Sequence, residues 1–347
     1  MSDGGNWVGL TAAPSGSDLV FGAETINGLG GVLFDGGGTF NAPTVTFTAV
    51  APAYILQAAT GSDVLSITGS GTALTNLSAF RQTSQLITVQ TATQTWDGGA
   101  KGLSISAIDL QNNRTLTLTG TGATGSTGNE VTQKITGTGT SGIVKTGSGT
   151  LTLNNALAND YTGATTVSGG TLVMNGSGNI GTGAFAVSGS SSILRLGLAD
   201  QIANASAITL SVGGTFDLAN KNETAGILTI GTGGGVIDLG VGAGNNIFTL
   251  ADSHLASWTA PLQIKNFNTG DSLRFLGANG SGLTPSQLAG ITFVNGSATN
   301  GSGTQYGAID SNGFVTPTLA AVPEASTIAI GALVAFAGLS SRRRRRK

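Results

Sequence analysis

A Ser-His-Asp hydrolase built from this chain would have one histidine to work with, His254. Asp252 and Ser253 stand beside it, but adjacency alone cannot supply triad geometry, so His254 reads as a solvated loop residue. One histidine and no cysteine leave no donor set for zinc, no thiolate chemistry and no disulfide framework. Asp217 and Asp238 form a second candidate. They occupy equivalent places in a repeated pattern, which would set two carboxylates about 5 Å apart, the spacing of an acid/base pair acting on glycosidic bonds. The remaining acids are scattered along the chain, and an outward ladder of solvated side chains is the simpler reading. The glycine tract Gly231-Thr232-Gly233-Gly234-Gly235 has no lysine behind it in a Walker pattern and reads as corner glycines. The expectation is no catalytic residue, no cofactor and no metal site.

The last 26 residues hold a different pattern: a short motif, a membrane-length apolar segment and a positive stop. Ile328 to Leu339 carries no charge, and with its small flanking residues the apolar segment spans 325–341. As a helix these residues would be about 25 Å long, at the short end for crossing a bilayer. A core helix would show a polar stripe, and this run has none. Behind it come Arg342, Arg343, Arg344, Arg345, Arg346 and Lys347, a cluster that resists translocation and holds its end on the cytoplasmic side. In front of it stands Val322-Pro323-Glu324-Ala325-Ser326-Thr327.

Box, apolar helix and terminal arginine cluster, in that order, resemble the PEP-CTERM sorting signal of exported bacterial proteins. Val322, Pro323 and Glu324 match its box, Ala325 replaces the usual second proline, and Ser326 fits the common continuation. The resemblance implies export, transient anchoring in the inner membrane through 325–341, and cleavage near the box by an exosortase-type transpeptidase. A sortase motif is absent, and a GPI signal would end on the hydrophobic stretch. Met1 to Trp7 has neither a basic n-region nor an apolar h-region, so no secretion signal is visible there: either the true start lies upstream of Met1 or the tail is not a sorting signal.

Composition restricts the partners. Outside the terminal cluster nine cations face 17 acids, so no basic stripe is available for phosphates, and nucleic-acid binding is not expected. Charged residues are 9% of the chain and Gly, Ser, Thr and Asn are abundant, yet mean hydropathy is +0.21. Regularly spaced Val, Leu, Ile and Thr argue for an ordered β-protein rather than disorder.

The positioning elements are short strands on a fixed period. Apolar-x-apolar pairs recur at Leu151/Leu153, Leu172/Met174, Leu194/Leu196, Phe216/Leu218 and Ile237/Leu239, stepping by 21 or 22 residues. Phe185/Val187, Leu210/Val212 and Leu228/Ile230 fall between them. Alternation puts one face of each strand inside, and glycine-rich turns separate the strands. This is the pattern of a parallel β-solenoid, with a β-sandwich as the alternative. Winding all of 1–316 at that period gives an upper figure of about 14–15 coils.

The coil at Gly147-Ser148-Gly149-Thr150-Leu151-Thr152-Leu153, followed by Asn159-Asp160-Tyr161-Thr162-Gly163-Ala164-Thr165-Thr166-Val167 and Gly169-Gly170-Thr171-Leu172, resembles the autotransporter-associated β-strand repeat. The match is tight over about 30 residues, and the same texture extends loosely through the middle of the chain. It implies a right-handed parallel β-helix in a surface-exposed, passenger-type protein. No translocator barrel is apparent in the sequence, so self-secretion through one is not expected.

The organisation expected is therefore all-β. Residues 1–100 form an N-terminal β region or cap, 101–257 regular coils of period 21–22, and 258–316 a C-terminal cap. Residues 317–347 hold a linker and the sorting signal: box 322–327, hydrophobic helix 325–341, basic tail 342–347. The cap is expected to hold a short helix at 284–289, with Thr284 as N-cap and Pro285 behind it. Late strands are expected at 273–276, 291–294 and 306–309, and in the N-terminal region at Leu65/Ile67 and 86–89. The functional expectation is a non-enzymatic cell-surface or extracellular-matrix rod, adhesive or structural, whose Thr, Ser and Asn faces suit surface polysaccharide. Two alternatives stand beside it: a polysaccharide-active β-helix enzyme, and an uncleaved tail-anchored membrane protein.

Overall fold

The computed structural model describes residues 16–23, 31–34, 38–58, 63–123, 128–178, 181–242, 244–297 and 305–318. They wind into a right-handed parallel β-solenoid of about 10 turns. Each turn visits up to three faces in the same order. Face A is a ten-stranded parallel sheet running from Leu19–Phe21 to Leu228–Ile230. Face B runs from Gly31–Phe34 through Thr150–Leu153 and Gly235–Asp238 to Ile291–Val294. Face C is discontinuous. It holds Thr39–Ala42, Val64–Ile67 and Ile135–Thr138 at one end, and Glu223–Ala225, Ile247–Leu250 and Ser272–Phe275 at the other. Two long strands, Gln82–Gln90 and Leu103–Asn112, turn the corner and serve B and C together, with a register shift between Ile105 and Ala107.

Alternation dictates what enters the core. On face B, Leu151 pairs with Leu172, Leu172 with Leu194, Leu194 with Phe216, Phe216 with Ile237, Ile237 with Ile264, and Ile264 with Phe293. All of these are buried. Like side chains thus stack in columns about 4.8 Å per step, and each buried Leu or Phe contributes about 2 kcal/mol of apolar burial. On face A, Phe185, Ile208 and Leu228 form one column and Val187, Leu210 and Ile230 the next. Every pairing is parallel until the last hairpin, which excludes the sandwich.

Two expectations are corrected. The pair written Leu210/Val212 is displaced by two residues: the strand is Ile208–Ser211, Ile208 and Leu210 are buried, and Val212 sits in the following turn at φ 52, 53% exposed. The period also stretches away from the middle, because longer turns are inserted. Ser104 pairs with Glu130, 26 residues on, and Ile264 with Phe293, 29 on. The described residues therefore make about 10 turns, fewer than uniform winding of 1–316 would give.

At the C-terminal end the helix Pro285–Ala289 carries a capping box, Thr284 Oγ1 accepting from the Gln287 N–H while Gln287 Oε1 accepts from the Thr284 N–H. The expected strands appear as Ser272–Phe275, Ile291–Val294 and Gln305–Ile309, and a further strand, Phe314–Thr318, completes an antiparallel hairpin. Gln305–Ile309 pairs with the last strand of face B and Phe314–Thr318 with the last of face C. The sorting box, the apolar segment 325–341 and the basic tail lie outside the described residues. Among the described residues no helix is long and apolar enough to cross a membrane.

Candidate functional site

His254 and Asp252 do meet. The imidazole Nδ1 lies 2.6 Å from Asp252 Oδ1, and the His254 N–H also donates to that oxygen at 3.1 Å. Burial acts to raise the Asp252 pKa, but the hydrogen bonds and charge of His254 outweigh it and hold the carboxyl below its ordinary value. Ser253 points elsewhere: its buried hydroxyl donates to Ala251 O and accepts the Leu228 N–H, so it is no nucleophile for this pair.

His254 lines a cleft of about 410 Å³ between the loop 252–261 and the helix Pro285–Ala289. Trp258, Thr259, Thr284, Ser286 and Gln287 share the lining. The walls are fixed by buried and half-buried hydrogen bonds. Gln287 Nε2 donates to Ser253 O at 2.9 Å and Ala256 O at 3.1 Å, tying helix to loop. Trp258 Nε1 donates to Leu228 O at 3.0 Å, and its ring meets Phe275 edge-on. Trp258 also continues face A by a parallel bridge to Ile230. Nothing in the sequence announced this cleft, because its two walls are some thirty residues apart.

Asp217 and Asp238 pair one coil apart, as their positions implied. They are not a solvated pair. Asp217 is 7% exposed, held by Arg195 Nε at 2.7 Å and by the Ala219 N–H. Asp238 accepts from the Gly240 N–H and from Asn266 Nδ2 at 2.7 Å. The hollow beside them measures about 280 Å³. One carboxylate is paired with a guanidinium and both are bonded to turn backbone, so the pair fixes the corners of adjacent coils. Among the described residues no group of three or more His, Cys, Asp or Glu is arranged to hold a metal.

The middle coils explain why the third face can do without strands. Asn159 Oδ1 accepts the Ile135 N–H at 2.7 Å, Gln201 Oε1 accepts that of Gly176 at 3.0 Å, and Glu223 Oε2 accepts those of Gln201 and Ile202. Buried side chains thus take over the ladder bonds that strands would supply. Burial pushes the Glu223 pKa up to about 7, against the lowering effect of these backbone donors. On face A, Lys145 takes an inward position between Leu118 and Val167. Its ammonium donates to the carbonyls of Thr146, Gly147 and Gly169, and burial lowers its pKa to about 8. Tyr161 is fully buried against Thr165 Oγ1, and desolvation pushes its pKa up to about 12. A charged residue at an inward place in Ile143-Val144-Lys145 was the signal that could have revealed Lys145.

These last contacts lie in two successive coils. Residues 143–174 match the passenger-associated-transport-repeat family. Within them Lys145 reaches the Gly169 carbonyl one coil on, and Gly163 and Gly170 lie directly against backbone of the coil before. No curated protein and no solved structure gives a match to the chain. The repeat and the solenoid around it fit a surface protein of the autotransporter-passenger type.

Proposed function

We propose that this chain is a non-enzymatic, exported β-solenoid of the bacterial cell surface or extracellular matrix, with an adhesive or envelope-structural role. The observation that carries the reading is the passenger-associated repeat at 143–174, set without a break inside the parallel stack. A rod of stacked coils has a large surface for its mass and presents Thr, Ser and Asn repeatedly along its faces, which suits weak multivalent contact with surface polysaccharide. The carboxylate chemistry of a polysaccharide-cleaving β-helix is not supported at Asp217 and Asp238, since both are engaged in fixing turns. Sorting is assigned to the Val322-Pro323-Glu324-Ala325-Ser326 box with the apolar segment and arginine cluster behind it. An exosortase-type enzyme is the processing partner, and the inner membrane a transient one.

The test is to express the chain in its natural host with an epitope inserted after Val241, which is 82% exposed in a turn. External protease should remove the epitope from intact cells, and the intact mass of the exported form should lack Arg342 to Lys347. An epitope protected inside the cytosol overturns the surface assignment. A surface form that keeps the arginines overturns processing and favours the uncleaved tail anchor.

A further inference from the structure

We infer that the cleft between the loop 252–261 and the helix Pro285–Ala289 is a binding subsite for neutral sugar residues. The inference deepens the surface-polysaccharide reading and rests on it only for the choice of ligand class.

Three observations converge there. The first is size and rigidity. At about 410 Å³ the cleft lies in the range of small-molecule sites. Its walls are held before any ligand arrives: Gln287 clamps the loop to the helix through two carbonyls, and the capping box fixes Gln287 in turn. A site already ordered loses little entropy on binding.

The second is the apolar part of the lining. The Trp258 indole N–H is committed to Leu228 O, so the residue offers hydrocarbon and π surface, not a donor. A rigid aromatic of this kind complements the C–H face of a pyranose, which is apolar on one side and hydroxylated at its edges.

The third is the set of polar groups left over. Asp252 does not line the cleft, yet it fixes the orientation of His254 by binding Nδ1. That leaves Nε2 without a protein partner among the described residues, and the Ser286 hydroxyl likewise. Both can meet a sugar hydroxyl, which donates and accepts, whichever protonation state the ring is in. No lysine or arginine lines the cleft. When His254 is protonated, Asp252 already balances its charge, so a carboxylated or phosphorylated ligand would lose its hydration without an unpaired cation to meet it, which disfavours uronates and phosphates.

Calorimetric titration of the purified full-length chain with neutral hexose oligosaccharides, and with oligouronates of equal length, tests this. Neutral oligosaccharides should bind, and uronates should bind more weakly. His254→Ala should weaken binding about tenfold, the worth of a polar contact and its orientation. Ser286→Trp, which fills the mouth of the cleft from an exposed position, should abolish binding, and both variants should unfold at the temperature of the parent. The inference is overturned if no neutral oligosaccharide binds, if uronates bind as well or better, or if neither substitution alters binding. Absence of sugar binding by a chain that external protease finds on the cell surface would sink this subsite and leave the surface role standing. Binding that follows these substitutions in a chain found only inside the cell would do the reverse.

Discussion

Lys145 and Glu223 are charged side chains turned into a core that is otherwise apolar, and each is 1% exposed. Their carbonyl and amide partners keep them from being orphaned, but desolvation still acts on both. Glu223 in the folded chain titrates at about 7, above its ordinary 4.5. The folded state therefore binds that proton more tightly than the unfolded one. Its contribution to stability is full below 4.5 and is lost as pH rises through about 7. Lys145 titrates at about 8 instead of 10.5, so the folded state sheds its proton sooner. The resulting penalty is present in full below about 8 and is relieved as pH rises to 10.5. Urea-unfolding free energies measured across this range should show the two limbs as differences from variants. Subtracting the Glu223→Gln curve should reveal a fall between 4.5 and 7, and subtracting Lys145→Met a rise between 8 and 10.5. Flat difference curves would mean that these groups are solvated in the native state.

At the scale of the element, the turns carry as much of the specificity as the strands. Gly163 precedes a face A strand, and a Cβ there would lie 2.3 Å from Thr140 O in the coil below. Gly170 opens a face B strand at φ +63, with a would-be Cβ 2.2 Å from Gly149 O. Backbone of one coil thus rests directly on backbone of the next, and only glycine leaves room. Gly71 offers a control, having a similar φ of +70 with open space around it. Gly71→Ala should cost about 1–2 kcal/mol, the left-handed backbone strain alone. Gly170→Ala should cost about 3 kcal/mol, since strain and overpacking add. Equal losses in urea melts would show that the coils are not in contact at that turn.

For the molecule as a whole, each coil touches mainly its neighbours, so the ends decide whether the stack stops. The hairpin Gln305–Ile309/Phe314–Thr318 answers this at the C-terminal end. Its strands run antiparallel to the last rungs of faces B and C and pair with each other. The open N–H and C=O groups at the ends of faces B and C are thereby closed off from a second molecule. A chain ending at residue 304 should leave these edges bare and associate end to end. Light scattering coupled to size exclusion should report oligomers or fibres for it, and monomer for a chain ending at 318. Monomeric behaviour of both would place the protection against association elsewhere.

The winding itself was legible in the sequence. Leu151, Leu172, Leu194, Phe216 and Ile237 recur at a nearly constant step because a closed coil must return each side chain to the same place above its predecessor. The helix at 285–289 was legible for a local reason, since a capping box with proline at the first position needs no distant partner. Val212 was misplaced because alternation continues through Leu210-Ser211-Val212 in the sequence, while a positive φ ends the strand there in space. What tertiary structure alone decided is everything that depends on which coil lies beside which. It buried Asp217 under Arg195 and set Lys145 beneath the Gly169 carbonyl. It also brought Trp258 and Gln287 to opposite walls of one cleft. Periodicity specifies a rung and its inward face; the pairing of loops between rungs follows from turn lengths and packing, which no local pattern encodes.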